Sequence, residues 1–477
     1  MNDSENKFFT DVLIVGSGVA GLYCALKLPE NLNITVISKE ALEDCDSYLA
    51  QGGICMLKND EDYDSYFEDT MRAGHYLNNK ESVDIMIRSS QHVIKDLIGY
   101  GVDFERNEDG SLKFTREGAH STPRILFHED ITGKEITSRL LEEVKKHSNI
   151  HLYNHVTMTD IIEQKITVKN NQPSRRCAGI IASVAADSPL AGYAEAEADD
   201  GSMIVPMYAE NVVWACGGIG GLYEHSTNYP HLTGDALGIA LNHEVELLDP
   251  DYIQIHPTTL YSTAKGRSFL ISESVRGEGG ILLNKDKKRF VNELLPRDVV
   301  ANAILEQMKK DGTPHVWLSM ENIKESEIKT HFCHIYQECL KNGFDCTKEP
   351  IPVVPAQHYF MGGVKVDRWS KTNLSCLYAC GETSCNGVHG KNRLASNSLL
   401  ESLVFAARAA AHMVEESSEK KYEEAEVETV DYKKYKDLHS LFGMYREKIL
   451  NAIERSKKNH ERNNNDAECR QSDSASA

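Results

Sequence analysis

The chain has 477 residues, is 41% hydrophobic and carries a formal net charge of −20. Such a length exceeds one ordinary core and calls for two or three domains. The acidic balance disfavours nucleic acid and anionic membrane, no stretch has the length of an apolar span, and the polar N-terminus lacks a signal-peptide core, so a cytoplasmic protein is expected.

Residues 8–40 read as strand, tight turn, helix, strand. Val12, Leu13, Ile14 and Val15 form a short apolar run suited to a buried parallel strand. Gly16, Gly18 and Gly21 follow with GxGxxG spacing. Gly16 serves the turn, Gly18 lets backbone N–H groups approach a pyrophosphate, and Gly21 lets the helix pack on the strand. The helix N-terminus then offers unpaired donors to phosphates. The second strand ends in Ser38 and Lys39, where a nicotinamide-binding fold places an acid for the ribose. This disfavours NAD and keeps a nucleotide.

Residues 41–56 read as a loop of small residues closing on Ala50, Gln51, Gly52 and Gly53. Residues 61–101 are largely helical, and 132–146 form another helix with Leu140, Leu141 and Val144 on one face. Strands are expected near 150–153, 179–184 and 211–216, the last ending in Gly217 and Gly218. Between them, 194–206 fits a hairpin or loop. Residues 243–354 break the alternation and read as an inserted domain. A strand over 376–382 then returns to the first domain, and an apolar helix over 399–414 closes it. Beyond Glu415 the chain is charged, with one helix near 432–455, and 463–477 reads as disordered.

Twelve cysteines occur without the C-x2-C pairs of common zinc sites, so reduced thiols and no metal are expected. Four polar residues sit at joins of the pattern. His256 precedes Pro257 at a strand end, and His358 precedes Gly362 and Gly363. Arg297 opens a helix, where a cation is unfavourable and calls for a counter-anion. Arg393 lies in a polar loop feeding the apolar helix. Singly, each reads as structural. Together, two histidines and two arginines fit a dicarboxylate.

These residues lie within a set of motifs: Gly16 to Gly21, Ala50 to Gly53, Gln254 to Thr258, Arg276 to Gly279, Pro296 to Asp298, His358 to Gly363 and Asn392 to Leu400. In that order, from about 11 to 414, the chain resembles the succinate dehydrogenase/fumarate reductase flavoproteins. Three local features are similar to the aspartate-oxidising branch. Asp46 stands where the membrane-bound members carry a histidine bonded covalently to flavin. Glu117 lies where the dicarboxylate enzymes have no acid, and a carboxylate is the natural partner for the ammonium of an amino acid. Ala395 and Ser396 replace the usual glycines before Asn397.

The resemblance implies an α/β chain: a Rossmann-like FAD-binding domain (1–242 and 355–415), an inserted α+β capping domain (243–354) and a short helical C-terminal segment (416–477). That segment is shorter than the three-helix domain usual in the branch. Noncovalent FAD would be held by Gly16, Ser17, Gly18, Val19, Ala20, Gly21, Lys39, Asp46, Ser47, Tyr48, Leu49, Ala50, Gln51, Gly52, Gly53, Asp235, Glu382, Ser398 and Leu399. The resemblance implies Arg297 as proton donor or acceptor, although a guanidinium is a poor base without a perturbed site or a relay. His256, His358 and Arg393 would hold the substrate carboxylates, with Ser272 and Glu273 nearby and Glu117 on the ammonium. The implied reaction takes L-aspartate to iminoaspartate with oxygen, giving peroxide, or with fumarate as acceptor. It would be the first step toward quinolinate and NAD, with a functional handover to quinolinate synthase. A soluble fumarate reductase and a catalytically disabled flavin-binding protein remain open.

Overall fold

The computed structural model describes residues 7–168, 172–263, 266–417, 422–427 and 430–475. Its largest sheet is built on Phe8–Val15, which pairs in parallel with Ile34–Ile37 on one side and Met203–Trp214 on the other. Ile150–Tyr153 extends the parallel set beyond Ile34–Ile37, and Leu377–Ala379 pairs with the end of Met203–Trp214. The apolar run is buried on both faces. Val12 and Ile14 enter one core with the helices Val19–Lys27 and Asn397–Ser417, while Leu13 and Val15 enter the opposite core. Side chains that alternate between two covered faces explain why this strand reads as continuous rather than alternating hydrophobicity. Antiparallel strands Gln172–Val184 and Val156–Val168 continue the sheet, so it is mixed. Ala196–Glu197 pairs back onto Met203–Trp214 as a hairpin.

The helical stretch expected over 61–101 is two helices, Tyr63–Ala73 and Lys80–Gly99. His75 and Tyr76, both at positive φ, separate them.

A second sheet is antiparallel and has the order Ile253–Leu260, Ile351–Phe360, Val316–Ser319, Ile281–Leu283. It has its own core, including Leu260, Leu282, Ile304, Phe332 and Val353. The boundaries expected at 243 and 354 differ from this arrangement. Leu247–Leu248 pairs with Gly363–Lys365 in a separate small sheet, and a cut after 354 would divide the strand Ile351–Phe360. Pro355 reads as a boundary but lies at a register shift opposite Pro257. A proline at a bulge removes no ladder hydrogen bond, so the strand runs through it.

The C-terminal segment departs furthest from expectation. Tyr422–Val427 forms a strand on Val156–Val168. The final helix is Leu438–Ala475, so most of 463–477, read as disordered, is helical. Tyr445 and Ile449 are buried and anchor its first half. No glycine or proline follows Gly443. Once a helix is nucleated, each further residue adds a hydrogen bond without repeating the nucleation cost. Among the described residues, no helix is long and apolar enough to cross a membrane.

Candidate active site

One continuous cleft runs from the opening glycine turn to the seam between the two large sheets. All the residues expected to hold the cofactor line it except Gly21 and Tyr48. Gly21 acts one layer behind: a Cβ there would collide with Gly16 O, so its role is close packing of helix on turn. Tyr48 turns its ring toward Lys134 Nζ, 5.9 Å away.

At the cofactor end, Gly16 has φ +122° and a Cβ on it would strike Ala215 O, so no other residue fits this turn. The helix Val19–Lys27 starts at Gly18 without an acid in its first turn; Val19 N donates to Ser47 Oγ at 3.2 Å, and the positive end faces the cleft, where phosphate is favoured. Lys39 Nζ and Asp235 Oδ2, both expected to meet the cofactor, pair with each other at 2.7 Å. Asp46 Oδ1 accepts from Tyr229 N at 3.0 Å, whereas Asp46 Oδ2 and Gln51 Oε1 are buried acceptors without a partner. Glu382 Oε1 accepts from Phe360 N at 2.8 Å. Burial pushes the carboxyls of Asp46 and Glu382 above their usual range, and the charge of Asp46 raises Glu382 further. Orphaned acceptors and buried acids in one wall match a ligand rich in hydroxyl and N–H donors. The cleft residues fit FAD.

At the other end, cations and acids converge from distant parts of the chain. Arg297 begins the helix Arg297–Asp311, and its counter-anion is Glu273: Arg297 Nε donates to Glu273 Oε2 at 2.5 Å. Arg297 Nη1 donates to Gln254 Oε1 at 2.9 Å, and Gln254 Nε2 donates to Arg393 O at 2.8 Å. Gln254 thereby ties the strand Ile253–Leu260 to both arginine-bearing segments. Arg276 Nη2 lies 3.5 Å from Glu273 Oε2. Burial opposes charge on Glu273, but Arg297 and Arg276 hold its carboxyl below the usual range. Glu273 follows Ser272, which caps the short helix Glu273–Gly277.

His256 is fully buried, and its Nδ1 accepts from Thr258 N at 3.1 Å. The same Nδ1 lies 3.1 Å from Thr258 O, so the backbone admits either tautomer, and Nε2 has no partner. His358 stands edge-on to it with ring centroids 5.1 Å apart, and its Nδ1 lies 2.7 Å from Thr227 Oγ1. Burial and then Arg297 hold both histidines neutral, with Arg393 also acting on His358. Arg393 lies over the Tyr359 ring at 4.4 Å, donates to Ser398 Oγ at 3.0 Å and has a buried Nε without partner. Burial and then the Arg297 charge lower its pKa to about 10.

Glu117 is 3% exposed among these cations. Its Oε1 accepts from Ser274 Oγ at 3.0 Å and its Oε2 from Ser396 Oγ at 2.6 Å. Burial raises its pKa, and Glu273 adds to the rise. The cluster therefore offers unsatisfied N–H donors for carboxylates beside one acid suited to a cation. Thr227, Asn228 and Arg267 also line the cleft and had no sequence signal, because they lie on irregular chain outside every motif. Ser274 and Ser396 could have been found from their places beside Glu273 and before Asn397. Among the described residues, no group of three or more His, Cys, Asp or Glu side chains is arranged to hold a metal ion.

Residues 11–399 match the FAD binding domain family. An L-aspartate oxidase of Clostridium perfringens is 48% identical over 405 residues, 85% of this chain and 86% of that protein. An L-aspartate oxidase of Pseudomonas aeruginosa is 39% identical over 85% of this chain and 74% of its own. Among solved structures, a quinol fumarate reductase of E. coli superposes with a TM-score of 0.77 at 30% identity, covering 88% of this chain and 72% of that one.

Proposed function

The chain belongs to the L-aspartate oxidase family, within the fumarate reductase-like flavoproteins, and on that footing we propose that it oxidises L-aspartate to iminoaspartate with noncovalent FAD. The observation that carries the reading is Glu117, a buried acid placed among His256, His358, Arg297 and Arg393. Two carboxylates and one ammonium are the charges of L-aspartate.

In this reading Arg393, His256 Nε2 and His358 take the carboxylates, and Glu117 takes the ammonium. Bound FAD supplies the acceptor for the hydride that leaves the substrate Cα. The ammonium must shed a proton before a C=N bond can form. Glu117, whose affinity for a proton is raised by burial, would accept it. Arg297 alone is a poor base, but its Nε donates to Glu273 Oε2, which also lies 3.5 Å from Arg276 Nη2. In this reading Glu273, between the two guanidinium groups, would supply the relay that a proton-transfer role for Arg297 requires.

Asp46 and Glu382, with their raised proton affinity, would accept hydrogen bonds from hydroxyl and N–H groups of the cofactor. The helix Asn397–Ser417 has no acid in its first turn, and Ser398 and Leu399 bring its positive end to the cleft, where negative charge on a reduced ring is stabilised. Oxygen, giving hydrogen peroxide, or fumarate would reoxidise the enzyme. The imine product hydrolyses in water, which supports a functional handover, in this reading to quinolinate synthase in the cytoplasm, toward NAD.

Anaerobic mixing with L-aspartate tests the reading. Rapid bleaching of the flavin by L-aspartate and slow bleaching by succinate is the expected result. Preference for succinate would instead make the protein a soluble fumarate reductase. A flavin that neither substrate bleaches would mark a disabled flavin-binding protein.

A further inference from the structure

Glu117 sits on a turn, and a turn needs something to fix its position. The turn closes with His120 N donating to Glu117 O at 3.4 Å. Gly118 is forced, because a Cβ there would run into Glu273 Oε1, and Ala119 adopts the left-handed conformation at φ +67°. A non-glycine residue held at positive φ is strained and persists only where the surroundings impose it.

The surroundings here centre on His120, which is 6% exposed. Its two ring nitrogens face groups of fixed character. Arg124 Nη1, a donor only, lies 3.0 Å from Nδ1. Ala395 O, an acceptor only, lies 3.0 Å from Nε2. The tautomer follows: Nδ1 accepts from Arg124, and Nε2–H donates to Ala395. Burial and the Arg124 charge lower the His120 pKa to about 4, so this neutral form holds throughout the ordinary pH range.

Arg124 is itself immobile, fully buried, with Nη1 2.7 Å from Asp69 Oδ2 and Nη2 3.1 Å from Asp62 Oδ1. Asp69 also accepts from Ser121 N at 2.7 Å, one residue after His120. The helix Tyr63–Ala73, which bears Asp69, thus fixes the far side of the turn.

On the near side, consecutive residues of the Arg393 loop receive the two ends of the turn. Ala395 O accepts from His120, and Ser396 Oγ donates to Glu117. Ser396 is also left-handed, at φ +62°, and Cys55 N donates to its carbonyl at 3.1 Å. The proposed ammonium site and the proposed carboxylate site are therefore fastened to one strained loop.

We infer that His120 is a positioning residue for substrate selection: its Nε2–H bond to Ala395 fixes the separation of Glu117 from Arg393, and so fits the site to an amino dicarboxylate over a plain one. The inference rests on the proposed L-aspartate reading and extends it to a side chain that touches neither substrate nor cofactor.

Two substitutions separate positioning from bulk structure. His120→Asn can still accept from Arg124 near the Nδ1 position but is too short to reach Ala395 O. His120→Gln can reach Ala395 O with an N–H. Both are measured as the FAD-loaded full chain by calorimetric binding of L-aspartate and of succinate, and by KM and kcat with L-aspartate and with fumarate. Misplacement of a binding group by about 1 Å costs up to about a hundredfold. His120→Asn should therefore raise Kd and KM for L-aspartate by about tenfold or more relative to succinate and fumarate. His120→Gln should restore most of that ratio. Equal losses for all ligands in His120→Asn, or a Gln variant no better than Asn, would overturn the inference. A wild-type protein that binds L-aspartate no better than succinate would overturn the functional reading itself, and this inference with it. A wild type with the preference and an Asn variant that keeps it overturns the inference alone.

Discussion

Replacing Glu117 by glutamine removes one charge and almost no volume. Glu117 accepts from Ser274 Oγ and Ser396 Oγ, and it is nearly inaccessible to water. The glutamine carbonyl can keep one serine donor, and the other hydroxyl can rotate to accept from the new N–H2, so folding should change by no more than about 1 kcal/mol. The substrate loses more. A hydrogen bond to a charged partner contributes about 1.5–3 kcal/mol. That range is roughly a ten- to hundredfold drop in kcat/KM for L-aspartate. Succinate has no ammonium and gains relief from a buried negative charge that already raises the proton affinity of its neighbourhood. Its oxidation should hold or improve. The assay is anaerobic stopped-flow bleaching of the flavin with each substrate in turn, at matched flavin content. Parallel losses for L-aspartate and succinate would refute the assignment of Glu117 to the ammonium.

Gly52→Ala places a Cβ against Glu117 Oε1 and should reproduce part of this phenotype, with KM for L-aspartate rising about tenfold in steady-state assays. Gly21→Ala drives a Cβ into Gly16 O and should cost about 1–3 kcal/mol by overpacking, read as a lower Tm and poorer FAD retention on gel filtration. Denaturation followed by sedimentation should leave the yellow colour in the supernatant, since an aspartate occupies position 46; colour in the pellet would contradict noncovalent attachment. His243 lies 2.6 Å from both Asp160 and Glu163, and although burial opposes its charge these partners raise its pKa to about 9. Its folded pKa lies above the ordinary histidine value of 6.5, so its stabilisation is complete below about pH 6.5 and disappears as pH rises through about 9. Thermal melts should show that decline in the wild type and a flatter profile in His243→Gln.

Several elements were legible in the sequence because a local rule governs them. The opening turn is written in Gly16, whose φ of +122° excludes side chains, and in the apolar run before it. Arg297 at a helix start announced a missing anion, and Glu273 supplies it. Other features obey no local rule. Pro355 looked like a boundary because the bulge that tolerates it depends on Pro257 across the ladder. The tail over 463–477 looked disordered because composition carries no record of the buried turns that nucleate its helix. Thr227, which orients His358, lies 131 residues away along the chain.

By itself, the sequence determined the cofactor class, the strand–turn–helix that receives a pyrophosphate, and the kinds of side chain that meet a dicarboxylate. Those follow from backbone sterics and from functional-group chemistry, which are properties of a few adjacent residues. Only the tertiary structure decided how these groups act together. It set Glu117 against Ser396, 279 residues on, gave His120 a single tautomer between Arg124 and Ala395, and left His256 Nε2 unpartnered in the cleft. The physical reason is that charge, burial and hydrogen-bond direction at a site depend on every segment packed there, and no window of the chain contains them all.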